Sequence, residues 1–151
     1  MKLLIAVFLA TLAVASVACS GAGEAIDQPP AMRIGQDVCV QCGMIISDER
    51  FASAYKLADG TPRLFDDIGD MATYHASRGE EVAYFWVHDF DTLDWLQADN
   101  AWSVSSDGIT TPMGHGLAAY GSLERAEMAT AAHGGTVLRW QDVIARYELW
   151  R

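Results

Sequence analysis

The stretch "FASAYKLADGTPRLFDDIGDMATYHASRGEEVAYFWV", Phe51 to Val87, spells out a β-β-α-β unit. Two short strand-like runs, 51–57 and 61–65, flank Asp59-Gly60, a dipeptide suited to the positive φ of a tight hairpin turn. Behind them "DDIGDMATYHASRG" reads as a helix, with Ile68, Met71, Ala72 and His75 at helical spacing and Gly79 as its stop. A strand over 82–88 follows.

The same order returns further on. "AWSVSS" leads into Asp107-Gly108, and "LAAY" is strand-like. "SLERAEMATAAHGG" is a helix opened by Ser122 and closed by Gly134-Gly135, and "TVLRW" is a strand. These readings predict strands at 101–105, 117–120 and 136–139, then a closing helix in "QDVIARYELW". Leu123, Ala126, Met128 and Ala129 mark the apolar face of the second helix, so Met71 and Met128 are both expected as core filler. His75 and His133 lie where a histidine complements a helix C-terminus. In "AYFWVHDFDTLDW" Trp86 and Phe90 are expected to pack and His88 to face the other way. The fold class is therefore α+β, one unit of two β-β-α-β pseudo-repeats packed together, with halves at about 33–90 and 91–151.

What precedes the unit is a leader. Lys2, the apolar run "LLIAVFLATLAVA" and then "SVAC" have the layout of a secretory signal over residues 1–18, and the run is too short for an ordinary membrane span. Cys19 stands where a bacterial lipoprotein carries its lipid, although Ser16 replaces the usual leucine of that signal. Residues 19–32, small, polar and proline-bearing, read as a flexible tether to a membrane, and residues 33–151 as the folded domain. The expected location is the periplasm, membrane-anchored through the lipid, with simple cleavage and a soluble product as the alternative. Ten basic against twenty acidic residues give a formal charge of −10, which argues against nucleic acid as a partner.

Export changes how "DVCVQCGMII", Asp37 to Ile46, must be read. Idle thiol pairs oxidise in such a compartment. A Cys39–Cys42 bridge, however, closes so small a ring that it constrains little chain. Three roles compete: a redox pair, half of a zinc site, or a soft-metal site. Cys42 and Met44, two apart, would share one side of an extended chain. So would Met113 and His115 in "TTPMGHGLAAY". Thiolate and thioether together favour Cu(I), whereas zinc takes thiolate and imidazole and rarely thioether. Zinc through Cys39, Cys42, His115 and another histidine stays open. No Ser-His-Asp signature, phosphate loop or dinucleotide glycine motif is present, so no enzymatic activity is expected.

"CVQCGMII", "FDDIGDM", "WVHDF" and "TPMGHGLAAY", in that order behind a lipoprotein-like leader, resemble the NosL family, copper-binding accessory lipoproteins of nitrous oxide reductase maturation. The likeness spans about residues 37–138. It implies a periplasmic Cu(I) chaperone whose fold of two β-β-α-β halves is shared with organomercurial lyase. Carried over by motif, it implies a metal site with Cys42 as the anionic ligand and Met44 and Met113 as thioether ligands. Cys39 or His115 would be the fourth or exchangeable donor. The implied partner is a copper-accepting enzyme, nitrous oxide reductase, or its membrane maturation complex. The alternatives from other classes are a thiol-disulfide oxidoreductase supporting copper-site maturation and a zinc-stabilised scaffold protein.

Overall fold

The computed structural model describes residues 25–149, so Cys19 and the leader lie outside the described residues. Strands β1 (Ser53–Leu57) and β2 (Pro62–Phe65) form the expected hairpin. Its turn is closed by the Leu57 amide on the Thr61 carbonyl at 2.9 Å, with Gly60 at φ +85°. Helix α1 (Ile68–Arg78) comes next, capped by the Asp67 carboxylate and ended by Gly79 in the left-handed conformation. Strand β3 (Val82–His88) pairs with β1 on the side away from β2.

Two elements went unread in the sequence. Strand β4 (Trp95–Gln97) and a 3₁₀ turn at Ala98–Asn100 extend the first sheet, giving the order β2-β1-β3-β4, antiparallel throughout. Three residues are too few for a period-2 pattern to stand out. Strands β5 (Trp102–Ser105), β6 (Leu117–Tyr120) and β7 (Thr136–Leu138) make the second sheet, ordered β6-β5-β7. In both sheets the first strand lies between the second and the third. Helix α2 (Leu123–His133) connects β6 to β7, and α3 (Trp140–Glu148) closes the chain. The β5–β6 connection is no tight hairpin: loop 106–116 starts with the Asp107-Gly108 turn and goes on to carry "PMGH".

The sheets meet where the Phe90 amide donates to the Ala119 carbonyl at 2.8 Å, beside a single parallel bridge from Asp89 to Ala119. The main core joins both halves. Tyr55, Phe65 and Val87 of the first sheet and Ile68, Met71 and Ala72 of α1 pack with Leu117 of β6 and Trp140 and Val143 of α3. A smaller cluster of Phe51, Val104, Ala118, Tyr120, Ala126 and Ala129 lies under α2. The core also reaches back into the stretch read as a tether. Met32 packs against it, and the Ala25 carbonyl accepts from the buried Lys56 ammonium at 2.9 Å.

Two expectations are corrected. Met71 is fully buried, but Met128 is 65% exposed and Leu123 40%, because α2 turns only the Ala126 and Ala129 side to the sheet. Met128 stands two residues, about 200° of helical rotation, from Ala126. His88 does not face away from the packing: it is buried like Trp86, its ring lies 3.7 Å from that of Trp95, and its Nδ1 is 2.9 Å from the Ala52 carbonyl. Alternate residues of a strand share a face, and β4, unseen in the sequence, supplies the cover.

Candidate metal centre

Cys39 and Cys42 sit at the tip of a tight loop. Backbone pairs Ile46 N to Asp37 O at 2.9 Å and Cys39 N to Met44 O at 2.8 Å bring its arms together, with one antiparallel bridge between Val38 and Ile45. Gly43, at φ +75°, donates to the Cys39 carbonyl and turns the chain. The loop docks on β2 through the Val40 amide on the Leu64 carbonyl at 3.0 Å. Cys39 and Ile46 point into the core; Val38, Val40, Met44 and Ile45 remain exposed. The extended conformation expected to put Cys42 and Met44 on one side is therefore absent, and the run after Gly43 forms only the single bridge. A turn likewise carries Met113, with Gly114 at φ +75° and its amide on the Thr111 carbonyl at 3.1 Å.

Asp70 is the residue that sequence reasoning missed. One oxygen accepts from the Cys39 thiol at 3.3 Å and the other lies 3.2 Å from His115 Nε2. Sulfur atoms of Cys39 and Cys42 and a carboxylate oxygen of Asp70 all fall within 4.8 Å of one another, a group able to hold a metal ion. The Cys42 amide points at the Cys39 sulfur at 3.5 Å. His115 Nδ1 is 3.0 Å from the Tyr147 hydroxyl, so α3 braces the ring from behind. Gly69 makes room for it, since a Cβ there would meet His115 Cγ at 2.1 Å. In sequence Asp70 stands three residues after the helix-capping Asp67, where an acid has the ordinary use of closing a helix N-terminus. Nothing in one dimension marks it as facing two thiols.

The charges follow from these contacts. Burial works to raise the Asp70 carboxyl, but hydrogen bonds from His115, Cys42 and Cys39 outweigh it and hold the group below the usual carboxylate range. Asp70 in turn raises the His115 imidazole, against the opposing effect of burial. Cys42 is pushed up to about 12, first by burial and then by hydrogen bonding with Cys39 and Asp70, with the Met44 amide opposing. That is the reverse of an activated redox thiol, which needs a lowered pKa.

The structure thus brings Cys39, Cys42 and His115 together around Asp70. Met44 is tied to the cluster by its backbone contact with Cys39. The Met113 amide donates to Asp67 at 3.2 Å, one helical turn before Asp70. Both methionine side chains are partly exposed, Met44 at 47% and Met113 at 38%.

The sequence profile described as NosL matches residues 31–147. Among solved structures, "Crystal structure of the copper chaperone NosL from Shewanella denitrificans" aligns with a TM-score of 0.65 at 22% sequence identity, covering 76% of this chain and 96% of that chain. No curated protein matches.

Proposed function

The chain belongs to the NosL family, and from that premise we propose that it is a periplasmic Cu(I) chaperone, tethered through Cys19, that carries copper for assembly of a copper enzyme, nitrous oxide reductase. The observation that carries the reading is the convergence of two thiols and a carboxylate within 4.8 Å. Cys39 and Cys42 supply soft anionic donors once deprotonated, and Met44 and Met113 supply thioethers, a combination that favours Cu(I). Exposure is graded across the set. Cys39 is buried, Cys42 half-buried and both methionines open to solvent, so an acceptor can displace thioethers first and thiolates last. A carrier needs that order, and a permanent site does not.

Cu(I) affinity, measured anaerobically against a competing chelator, tests the donor set. Cys42→Ser is expected to lose roughly two orders of magnitude or more, and Met44→Leu or Met113→Leu roughly tenfold, with stability little changed because Leu keeps most of the volume. Parent-like affinity in Cys42→Ser would end the reading. Asp70 favours a second one. A carboxylate beside two thiols also suits zinc, and in that case zinc would bind tightly, lose affinity in Asp70→Asn and be indifferent to both methionine changes.

A further inference from the structure

Asp67 does two jobs with two oxygens. Oδ1 accepts the Gly69 amide at 2.7 Å and caps α1. Oδ2 reaches across to the other half of the molecule, where it accepts the Thr111 hydroxyl at 2.5 Å and the Met113 amide at 3.2 Å. Both Asp67 and Thr111 are buried, at 0% and 6% exposure, so these bonds are sheltered from water. The Thr111 hydroxyl also accepts the Gly116 amide at 3.3 Å. One carboxylate therefore grips the Met113 turn at two points, and the same helix carries Asp70, with its contacts to Cys39 and His115, one turn further on. A helix cap needs only the first oxygen. The second fixes where the Met113 loop stands relative to the thiol cluster.

We infer that Asp67 and Thr111 are positioning residues that set the metal selectivity of the site. They hold the loop bearing the Met113 thioether against a thiol–carboxylate cluster that by itself would serve zinc as well as copper. The inference rests on the reading of Met113 as a copper donor. Thioether sulfur contributes to Cu(I) and hardly at all to Zn(II). Loosening the loop at Met113 therefore costs copper affinity and spares zinc, because Cys39, Cys42 and Asp70 lie outside the loop and His115 stays held by Asp70 and Tyr147, whereas a residue important only for folding would affect the two metals alike.

The test measures Cu(I) and Zn(II) affinities separately, by anaerobic chelator competition, on the full chain. The variants are Thr111→Val, Asp67→Asn, Met113→Leu and the double variant Thr111→Val/Met113→Leu. Val keeps the branched shape of Thr and leaves the helix cap untouched. Asn keeps a capping oxygen, and so supplies a second variant should the first fail to fold. Thr111→Val, which removes the bond to Asp67 and the weaker one from the Gly116 amide, is expected to lower Cu(I) affinity about tenfold or more, with zinc changed by less than about twofold. In that background Met113→Leu adds little, because the loop already presents the sulfur poorly. Equal losses for both metals, parent-like copper affinity in Thr111→Val, or full additivity in the double variant would each overturn the proposal. Met113→Leu alone separates the two readings. If it leaves Cu(I) affinity at the parent value, the donor role fails and this inference with it; if it weakens copper binding while Thr111→Val does not, only the positioning role is wrong.

Discussion

Gly69 shows how one absent side chain shapes the site. It is the second residue of α1, where the interior glycine penalty of about 0.5–1 kcal/mol relative to alanine is only partly felt, so Gly69→Ala should stabilise slightly on helix propensity alone. The space argues the other way. A Cβ would meet three His115 side-chain atoms at 2.1–2.6 Å, and His115 is held between Asp70 and Tyr147. Overpacking of this kind costs roughly 1–3 kcal/mol, so the clash should win and Gly69→Ala should be less stable in chemical denaturation. A variant as stable as the parent would show that His115 swings aside freely. Methionines 71 and 128, alike in sequence, should likewise part company. Met71→Ala, fully buried, is expected to cost about 2–5 kcal/mol, and Met128→Ala, mostly exposed, no more than about 0.5 kcal/mol. Similar losses at both positions in urea would contradict the face that α2 presents.

At the level of elements, the two sheets are latched at Asp89, just beyond β3. Its carboxylate accepts the Asp91, Thr92 and Gly121 amides and both terminal nitrogens of Arg125 on α2, at 2.5 and 2.7 Å. Burial works to raise the Asp89 carboxyl, but Arg125 and the three amides prevail and hold it below its ordinary value. A carboxyl depressed in the folded state stabilises fully above its unfolded pKa, about 3.9, and that contribution is lost as pH falls through the folded value. Asp89→Asn should therefore be clearly less stable than the parent at pH 6, and the gap should close as pH falls below about 4. Taking the difference between the two proteins removes the other depressed carboxyls, Asp37, Asp48, Asp59, Asp70 and Glu80, which the variant shares. A gap of constant size from pH 6 to pH 3 would show that Asp89 is no ionic latch.

Taken whole, the molecule has two hydrophobic clusters built from side chains of the sheets, the helices and the loops beside them, with Cys39 the one proposed metal donor among the buried members and Cys42 packed against it. Metal removal by a strong chelator should therefore leave circular dichroism and a cooperative thermal transition intact. Bound Cu(I) should add stability only by mass action, about 2.7 kcal/mol at a free concentration a hundred times Kd. Unfolding on chelation would instead indicate a zinc-scaffold architecture, in which binding energy is folding energy.

Much of this was already written along the chain. Turn dipeptides, glycine stops and helical spacing are local signals, and they placed six strands and three helices close to where they lie, from Ser53 to Glu148. Cys39, Cys42 and the "PMGH" loop were legible for the same reason, since soft donors at short spacing are rare and conspicuous. The remainder depended on neighbours distant in sequence. The face of α2, the burial of His88 under β4, and the roles of Asp70 and Asp67 are set by residues up to 46 positions away. An aspartate in a first helical turn has the same local signature whether it caps the helix, receives a thiol or holds a loop from the other half. Only the packing of one half on the other decides which, because a hydrogen bond is made to whatever group the fold brings within reach.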